Sequence, residues 1–275
     1  MTTDQEDQAN HDSDSSTAAP LVEHLAELRS RLIKSALFFI IGIILCFTVA
    51  SHIFNFLANP IAEMLESNGQ QPDLIFTGLQ QGFMVNIQIS LFGGFILAFP
   101  FIGFQLWKFV APGLYKAEKG AFLPFLLASP ILFFLGASFA FYVVMPLAFD
   151  FFLSFQQSDE NSVTNAIGIT YLGTINEYLG LSMKFIIAFG LCFQLPVLLT
   201  LMGKAGLVSS KGLGKVRKYA VVGILLVAAI ATPPDVITQI ILFSVVYTLY
   251  EVSIFMVRLV ESKRDKEANQ QADVR

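Results

Sequence analysis

Apolar residues along this chain fall into six runs that are separated by polar loops. An α-helix rises about 1.5 Å per residue, so roughly 20 apolar residues cross the hydrocarbon core of a bilayer. The fifth run is shorter than this and covers only about 21 Å as a helix. The pattern predicts an all-α polytopic membrane protein with six transmembrane helices, at about 33–52, 82–104, 121–145, 178–202, 219–232 and 236–257.

A short amphipathic segment precedes the first run. Its leucines recur at steps of four, three and four residues, which places them on one face of a helix. Glu27 and Arg31 lie on the other face, and Pro20 suits the first helical turn. The spacing therefore predicts a helix that lies in the membrane interface. Its apolar face consists of Leu21, Leu25, Leu28 and Leu32.

The two ends of the chain are polar. Residues 1–19 are rich in Asp, Asn, Gln, Ser and Thr, and residues 259–275 are rich in charged side chains. Both are expected to be disordered cytoplasmic tails around one membrane domain at 20–258. The first twenty residues contain no apolar core, so a cleaved signal peptide is not expected.

The distribution of basic residues predicts the orientation. The chain is 55% hydrophobic and 14% charged, with a mean hydropathy of +0.65, whereas soluble domains have about 25% charged residues. Every Lys and Arg except Lys184 lies before or at the start of run one, after run two, after run four, or beyond run six. Cytoplasmic loops carry such an excess, so both termini are predicted to be cytoplasmic. Lys184 lies near the start of run four and is expected to snorkel to the outer surface.

Catalytic motifs are absent from the sequence. There is no phosphate-binding glycine loop, zinc motif or nucleophile–base arrangement, so neither an enzyme nor a cofactor is indicated. Nucleic acid is not an expected partner. Cys46 and Cys192 both fall inside apolar runs, where a small buried side chain is a better interpretation than a disulfide.

Two glutamates lie on the predicted cytoplasmic side, at the edges of basic segments. Glu27 and Glu118 each have a simple interpretation as the solvated partner of a neighbouring cation, Arg31 or Lys116. The functional alternative is that the two carboxylates accept a basic peptide. Guanidinium groups match carboxylates in a bidentate manner, and each charge-assisted hydrogen bond contributes about 1.5–3 kcal/mol.

Two further polar residues need partners. Gln194 lies in the middle of run four, where an unpaired amide is costly, so it should bond to another helix of this protein or of a partner. Asp235 follows two prolines at the start of run six and is interpreted as the N-cap of that helix.

Four motifs occur in order on these six runs, and together they resemble the TatC family, the receptor subunit of the twin-arginine protein translocase. The resemblance covers about residues 20–258. Each motif alone is weak, and the specificity comes from their order. The motifs are His24-Leu-Ala-Glu27-Leu-Arg29, Trp107-Lys-Phe109-Val-Ala-Pro112-Gly-Leu-Tyr115-Lys-Ala-Glu118, Phe193-Gln194-Leu-Pro196 and Thr232-Pro-Pro-Asp235.

The resemblance implies a signal-peptide receptor in the bacterial cytoplasmic (inner) membrane. In that family the two glutamates bind the twin-arginine motif of folded precursors, so Glu27 and Glu118 take that role here. Arg29 and Phe109 match neighbouring positions on the same surface. Pro60 matches a proline thought to shape the outer cap. The proton-motive force is the expected driving force.

The resemblance also implies partners. Gln194 is expected to line the concave face and to contact the single-span proteins TatA and TatB, and Asp235 through Gln239 borders the same partner site. Self-association in the receptor complex is expected as well. Some relatives carry a glutamate where this chain has Gln194. Because an amide does not titrate, a hydrogen-bonding role fits this residue and a proton-transfer role does not.

A rival from another class is a small-solute secondary transporter. In that case Asn86, Gln88, Lys184 and Gln194 would line a central path. Such a protein is expected to show internal repeats or interrupted helices at matching positions, and the sequence shows neither.

Overall fold

A computed structural model describes residues 4–67, 69–114, 123–155, 173–232 and 235–273. The described chain is helical, and an isolated parallel bridge between Ile75 and Thr174 is the only β-type pairing in it. The prediction of an all-α fold is therefore confirmed. A π-helical turn, Ala140–Val144, separates the fourth and fifth helices. The helices are α1 Asp4–Thr48, α2 Ala50–Ser67, α3 Gln81–Leu114, α4 Leu123–Phe139, α5 Met145–Leu153, α6 Ile175–Cys192, α7 Leu195–Lys204, α8 Ser210–Lys215, α9 Arg217–Ala231 and α10 Val236–Asp273.

Five helical segments of the described chain are long and apolar enough to cross a membrane. Three of them match predicted runs one, two and six, and two are composite, because α4 continues into α5 and α6 into α7. The sixth predicted crossing is α9, which has 15 residues. The five are Leu25–Thr48, Gln81–Phe109, Pro124–Leu153, Ile175–Lys204 and Val236–Arg264.

Several helices extend beyond the bounds of the predicted runs. The amphipathic segment is continuous with the first crossing inside α1, which begins at Asp4. The disorder of the two tails stays a prediction. Helix α10 likewise runs past the predicted end at 257 to Asp273. Helix α3 continues into the predicted loop as far as Leu114, and α5 continues to Leu153.

The predicted loop 53–81 contains the helix α2. Its buried residues recur with helical spacing, so one apolar stripe packs on the bundle. Pro60 lies inside this helix, and Gly69 lies just after its end, with φ of 72°. The stripe consists of Ala50, Leu57, Ile61 and Leu65.

Helix α1 packs on α3 through glycines. A Cβ atom on Gly42 would come within 2.8 Å of the carbonyl oxygen of Gly94, and one on Gly94 within 2.7 Å of the nitrogen of Ile43. Only residues without a side chain allow two helices to approach this closely. The rest of α1 faces outward, since only 11% of its most apolar stretch is buried.

Aromatic rings fill the centre, where α3, α4 and α6 meet. Phe133, Phe185 and Phe189 are fully buried. The rings of Phe99 and Phe133 stack at a centroid distance of 3.6 Å with an interplanar angle of 14°. Tyr178 is also buried, and its hydroxyl donates to the carbonyl oxygen of Leu57, which ties α6 to α2. The core therefore fixes the relative positions of the helices that carry the candidate site residues.

Candidate functional site

Glu27 lies where α1 and α3 meet. The Arg31 Nε donates to Glu27 Oε1 at 2.9 Å, and Nη2 donates to the same oxygen. Arg31 Nη1 reaches across to Gln105 Oε1 on α3 at 3.3 Å. The Glu27 side chain remains 35% exposed and that of Arg31 17%. The simple interpretation of Glu27 as a partner of Arg31 is thus confirmed, and the pair is fastened to α3.

The same arrangement leaves room for a ligand at this carboxylate. Each carboxylate oxygen can accept more than one hydrogen bond. Among the described residues, no donor contacts Glu27 Oε2. One oxygen therefore positions the group, and the side chain as a whole is partly exposed.

Phe109 and Arg29 lie on the two helices that meet at this carboxylate, α3 and α1. Phe109 is half-buried and follows Gln105 by four residues on α3, so both occupy one face of that helix. Arg29 is exposed, two residues beyond Glu27. Trp107 points to another side of α3 and is only 5% exposed, packed with Val197 and Leu201. The bond from Arg31 to Gln105 thus joins α1 and α3 beside Glu27.

Glu118 lies outside the described residues, so its distance from Glu27 stays a prediction. Gln105 is the residue that sequence reasoning missed at this site. Gln105 lies one helical turn before Phe109, a residue of the second motif, and this spacing was the only sequence signal that pointed to it.

Gln194 is bonded inside the protein. The Ser129 hydroxyl on α4 donates to Gln194 Oε1 at 2.8 Å, and Gln194 Nε2 donates to the Ser129 carbonyl oxygen at 2.9 Å. The chain breaks its helix here, between α6 and α7, because Pro196 in the first turn of α7 supplies no backbone donor. Of the two alternatives for the amide, the internal bond is found. Ser129, which is 1% exposed, is a second residue that the sequence did not indicate.

Asp235 caps helix α10 as predicted. Its Oδ2 accepts from the Thr238 backbone nitrogen at 2.7 Å, and its Oδ1 accepts from the Thr238 hydroxyl at 2.5 Å. Thr238 is fully buried, and Gln239 next to it is half-buried. Both carboxylate oxygens of Asp235 are therefore engaged in holding the start of α10.

Pro60 is half-buried in α2, between the buried Leu57 and Ile61. One turn earlier in the same helix, Phe56 stacks on Phe141 with ring centroids 4.6 Å apart. Phe141 belongs to the π-helical turn just before Pro146. Helix α2 thus contacts the π-helical turn through aromatic rings.

The polar residues named for the transporter alternative do not share one path. Gln88 and Lys184 line a common cavity, but Asn86 lines a different one, between α2 and α3. The side-chain amide of Gln194 is hydrogen-bonded to Ser129. A continuous polar route through these four residues is not found.

A bundle of long apolar helices with engaged polar groups at its helix ends defines an integral membrane protein. The sequence profile described as Sec-independent protein translocase protein (TatC) matches residues 23–244. The chain belongs to the TatC family, and it is a multi-pass protein of the cytoplasmic (inner) membrane that serves Sec-independent protein translocation.

Relatives in several bacteria share most of the length. The TatC of Magnetococcus marinus is 48% identical over 255 residues, which is 92% of this chain and 90% of that protein. The TatC of Aquifex aeolicus is 38% identical over 245 residues, 89% of this chain and 97% of that one. A crystal structure of the twin-arginine translocase receptor TatC superposes with a TM-score of 0.74 at 39% identity, covering 86% of this chain and 99% of that chain. This family is a translocase family and not a known enzyme family.

Proposed function

We propose that this protein is the receptor that binds twin-arginine signal peptides of folded precursors at the cytoplasmic surface. The single observation that supports it is the partly exposed Glu27 carboxylate, which Arg31 binds through one oxygen and which the bond from Arg31 to Gln105 holds at the junction of α1 and α3. A guanidinium fork binds a carboxylate with two parallel hydrogen bonds, and a prefixed carboxylate loses little freedom when it binds.

One glutamate alone is a weak attractant for a second cation. The charge of Glu27 is already balanced by Arg31, so an arriving guanidinium meets a locally neutral pair. Glu118 supplies the further negative charge in this proposal. Phe109, on the same face of α3 as Gln105, offers an aromatic ring on which the flat guanidinium group can stack.

We further propose assembly with TatA and TatB on the side of Gln194, Asp235 and Gln239. The amide of Gln194 keeps one N–H and one lone pair beyond its bonds to Ser129, so a partner helix can hydrogen-bond to it without breaking the internal pair. Asp235 acts indirectly by fixing the start of α10 next to Gln239. The proton-motive force drives the later transport step.

The test is binding of a radiolabelled twin-arginine precursor to membranes that contain the Glu27→Gln variant. We expect site-specific cross-linking of the precursor to fall by tenfold or more, because a lost charge-assisted bond costs about 1.5–3 kcal/mol. The matched control is Glu63→Gln, which changes an exposed glutamate on α2. Full cross-linking in the Glu27 variant, or equal binding of a precursor whose two arginines are lysines, would refute the site.

A further inference from the structure

Four exposed basic residues lie on α8 and at the predicted cytoplasmic ends of α9 and α10. Lys211 and Lys215 are one turn apart on α8, Lys218 is in the first turn of α9, and Arg258 is on α10. Among the residues that the structure describes, no carboxylate pairs with any of the four. We call these four residues the basic surface, and none of them belongs to the Glu27 site.

Helix α8 is held along α10 by hydrogen bonds near both of its ends. Glu261 accepts from the backbone nitrogen of Ser210 at 3.0 Å and also from the Ser210 hydroxyl. The Tyr250 hydroxyl donates to the carbonyl oxygen of Leu213 at 2.8 Å. Helix α8 therefore runs antiparallel to α10, and its lysines are carried by a fixed backbone. Groups that are already held in place lose little freedom when they bind a partner.

The described carboxylates beside the basic surface are engaged by other groups of the chain. Arg217 Nη2 donates to Glu251 Oε2 at 2.7 Å, and the Tyr247 hydroxyl donates to Glu251 Oε1 at 3.0 Å. Glu261 is bound by Ser210. These bonds leave the four cations of the basic surface without an acidic partner in the described chain. The surface therefore has an excess of positive charge and fits a negatively charged partner.

Lys218 and Arg258 approach one level at the predicted cytoplasmic boundary of the membrane. The bond from Arg217 to Glu251 places the start of α9 beside α10, and Arg258 follows Glu251 by seven residues, or about 10 Å, on the same face. Side chains lean toward the N-terminus of their helix. Because α9 and α10 run in opposite directions, Lys218 leans toward the cytoplasm and Arg258 leans back toward the membrane.

Exposed apolar side chains continue from Lys218 toward the interior of the bilayer. Tyr219, Val222 and Leu226 are all exposed and recur at steps of three and four, so they form one stripe on α9. The Lys218 Nζ lies 5.1 Å from the centroid of the Tyr219 ring. Tyrosine is enriched where the hydrocarbon core meets the headgroups. The surface is thus basic at the membrane boundary and apolar beneath it.

We propose that Lys218 and Arg258 bind the phosphate of one anionic phospholipid of the cytoplasmic leaflet, such as phosphatidylglycerol. Arg258 donates to two phosphate oxygens and Lys218 acts as a point charge. Lys211 and Lys215 add positive charge nearer the cytoplasm. An acyl chain lies on the apolar stripe of α9. Basic groups immediately cytoplasmic of a membrane helix suit anionic headgroups in this way.

Charge complementarity and the apolar stripe together favour an anionic lipid over an acidic soluble peptide. Such a peptide would pair with the cations but leave the stripe uncovered. Zwitterionic headgroups carry a positive group of their own, which the basic surface repels. The partner contact proposed at Asp235 and Gln239 lies at the opposite ends of α9 and α10, about 23 Å away along α9, so the two sites do not overlap.

The experiment is native mass spectrometry of the full chain, released from nanodiscs that contain equal parts of phosphatidylglycerol, phosphatidylethanolamine and phosphatidylcholine. We expect one phosphatidylglycerol to remain bound per chain, at least tenfold enriched over the other two lipids. This comparison needs no variant, so a folding defect cannot obscure it. Inorganic phosphate, added against chloride of equal ionic strength, should leave the lipid bound. Equal retention of the three lipids, or release of the lipid by inorganic phosphate, would overturn the proposal.

Variants then locate the phosphate. Lys218→Gln combined with Arg258→Gln should reduce retention of phosphatidylglycerol at least fivefold, and the exchange of Lys218→Arg with Arg258→Lys should preserve it. The matched control combines Lys34→Gln with Lys108→Gln. It removes two exposed lysines from the predicted cytoplasmic ends of other crossings, and Lys108 lies over the ring of Phe104 as Lys218 lies over its tyrosine. If the two glutamine double variants retain equal amounts, any cytoplasmic cation serves and the proposed site is wrong.

A photoreactive amino acid in place of Val222 identifies what covers the apolar stripe. In nanodiscs that contain this chain alone, we expect the cross-link to form with a lipid acyl chain. Capture of a second copy of the chain would show that a protein helix lies on the stripe, and the proposal would fail. Release of phosphatidylglycerol by polyglutamate would also contradict it, because the basic surface would then bind an acidic peptide in preference to lipid.

Discussion

Single residues in this protein act mainly by holding other residues in place. Arg31 fastens Glu27 to Gln105, Ser129 fastens Gln194, and Asp235 fastens the first turn of α10. Local hydrogen bonds such as the Asp235 cap are visible in the sequence, because both partners lie within one turn. Ser129 is 65 residues from Gln194, and no local pattern connects them.

The hydrogen bonds between Gln194 and Ser129 allow a prediction at the scale of single residues. Gln194→Leu removes two hydrogen bonds between α4 and α7, and Ser129→Ala removes only the one made by the hydroxyl. We expect Gln194→Leu to lower the thermal unfolding temperature in detergent more than Ser129→Ala does. A double-mutant cycle should give a coupling of about 0.6–1.7 kcal/mol, the range for such bonds in membrane proteins. Strictly additive effects would show that the two side chains do not interact.

At the scale of elements, hydrophobic periodicity predicted most helices and failed at their ends. The apolar runs correspond to the five long segments and to α9, while α2 was missed because Pro60 and Gly69 look like loop signals. Pro60 is tolerated because it removes one hydrogen bond from a helix that is held by other contacts, including Tyr178 to Leu57. Propensity within a segment carries no information about such tertiary contacts.

The close contact between α1 and α3 allows a prediction at the scale of elements. Gly94→Ala places a methyl group 2.7 Å from the Ile43 nitrogen, where the backbone of α1 cannot yield easily. We expect a loss of about 1–3 kcal/mol, from overpacking between α1 and α3, measured by thermal unfolding in detergent.

The matched control is Gly223→Ala in α9, where a Cβ atom meets nothing within 4 Å. Alanine in a helix interior is favoured over glycine by roughly 0.5–1 kcal/mol, so this variant should be neutral or slightly stabilised. If Gly94→Ala behaves like Gly223→Ala, the close contact of α1 and α3 is not needed for stability.

At the scale of the whole molecule, α9 is shorter than the bilayer. Its 15 residues span about 23 Å against a hydrocarbon core of roughly 30 Å. Its start is anchored, since Arg217 Nη2 donates to Glu251 Oε2 on α10 at 2.7 Å. Local thinning of the bilayer is one way to accommodate such a short helix, and we propose that thinning beside α9 lowers the barrier for a cargo.

Lengthening α9 tests this idea. Four apolar residues inserted after Val227 add one turn, and we expect export of a folded twin-arginine precursor to fall severalfold while signal-peptide cross-linking at Glu27 is retained. The control is the same insertion after Lys263, near the end of α10. Normal export with the longer α9 would contradict a role for local thinning.

The sequence by itself determined the all-helical class, the apolar segments, the segregation of basic residues, the cap at Asp235 and the motifs that indicate the family. These features depend on composition, on periodicity and on neighbours within one turn. Only the tertiary structure decided that Gln194 pairs with Ser129, that Gln105 holds Arg31 and that Gln88 and Lys184 line one cavity. Those pairings join residues on different helices, and the packing of glycines and aromatic rings between the helices sets which residues meet.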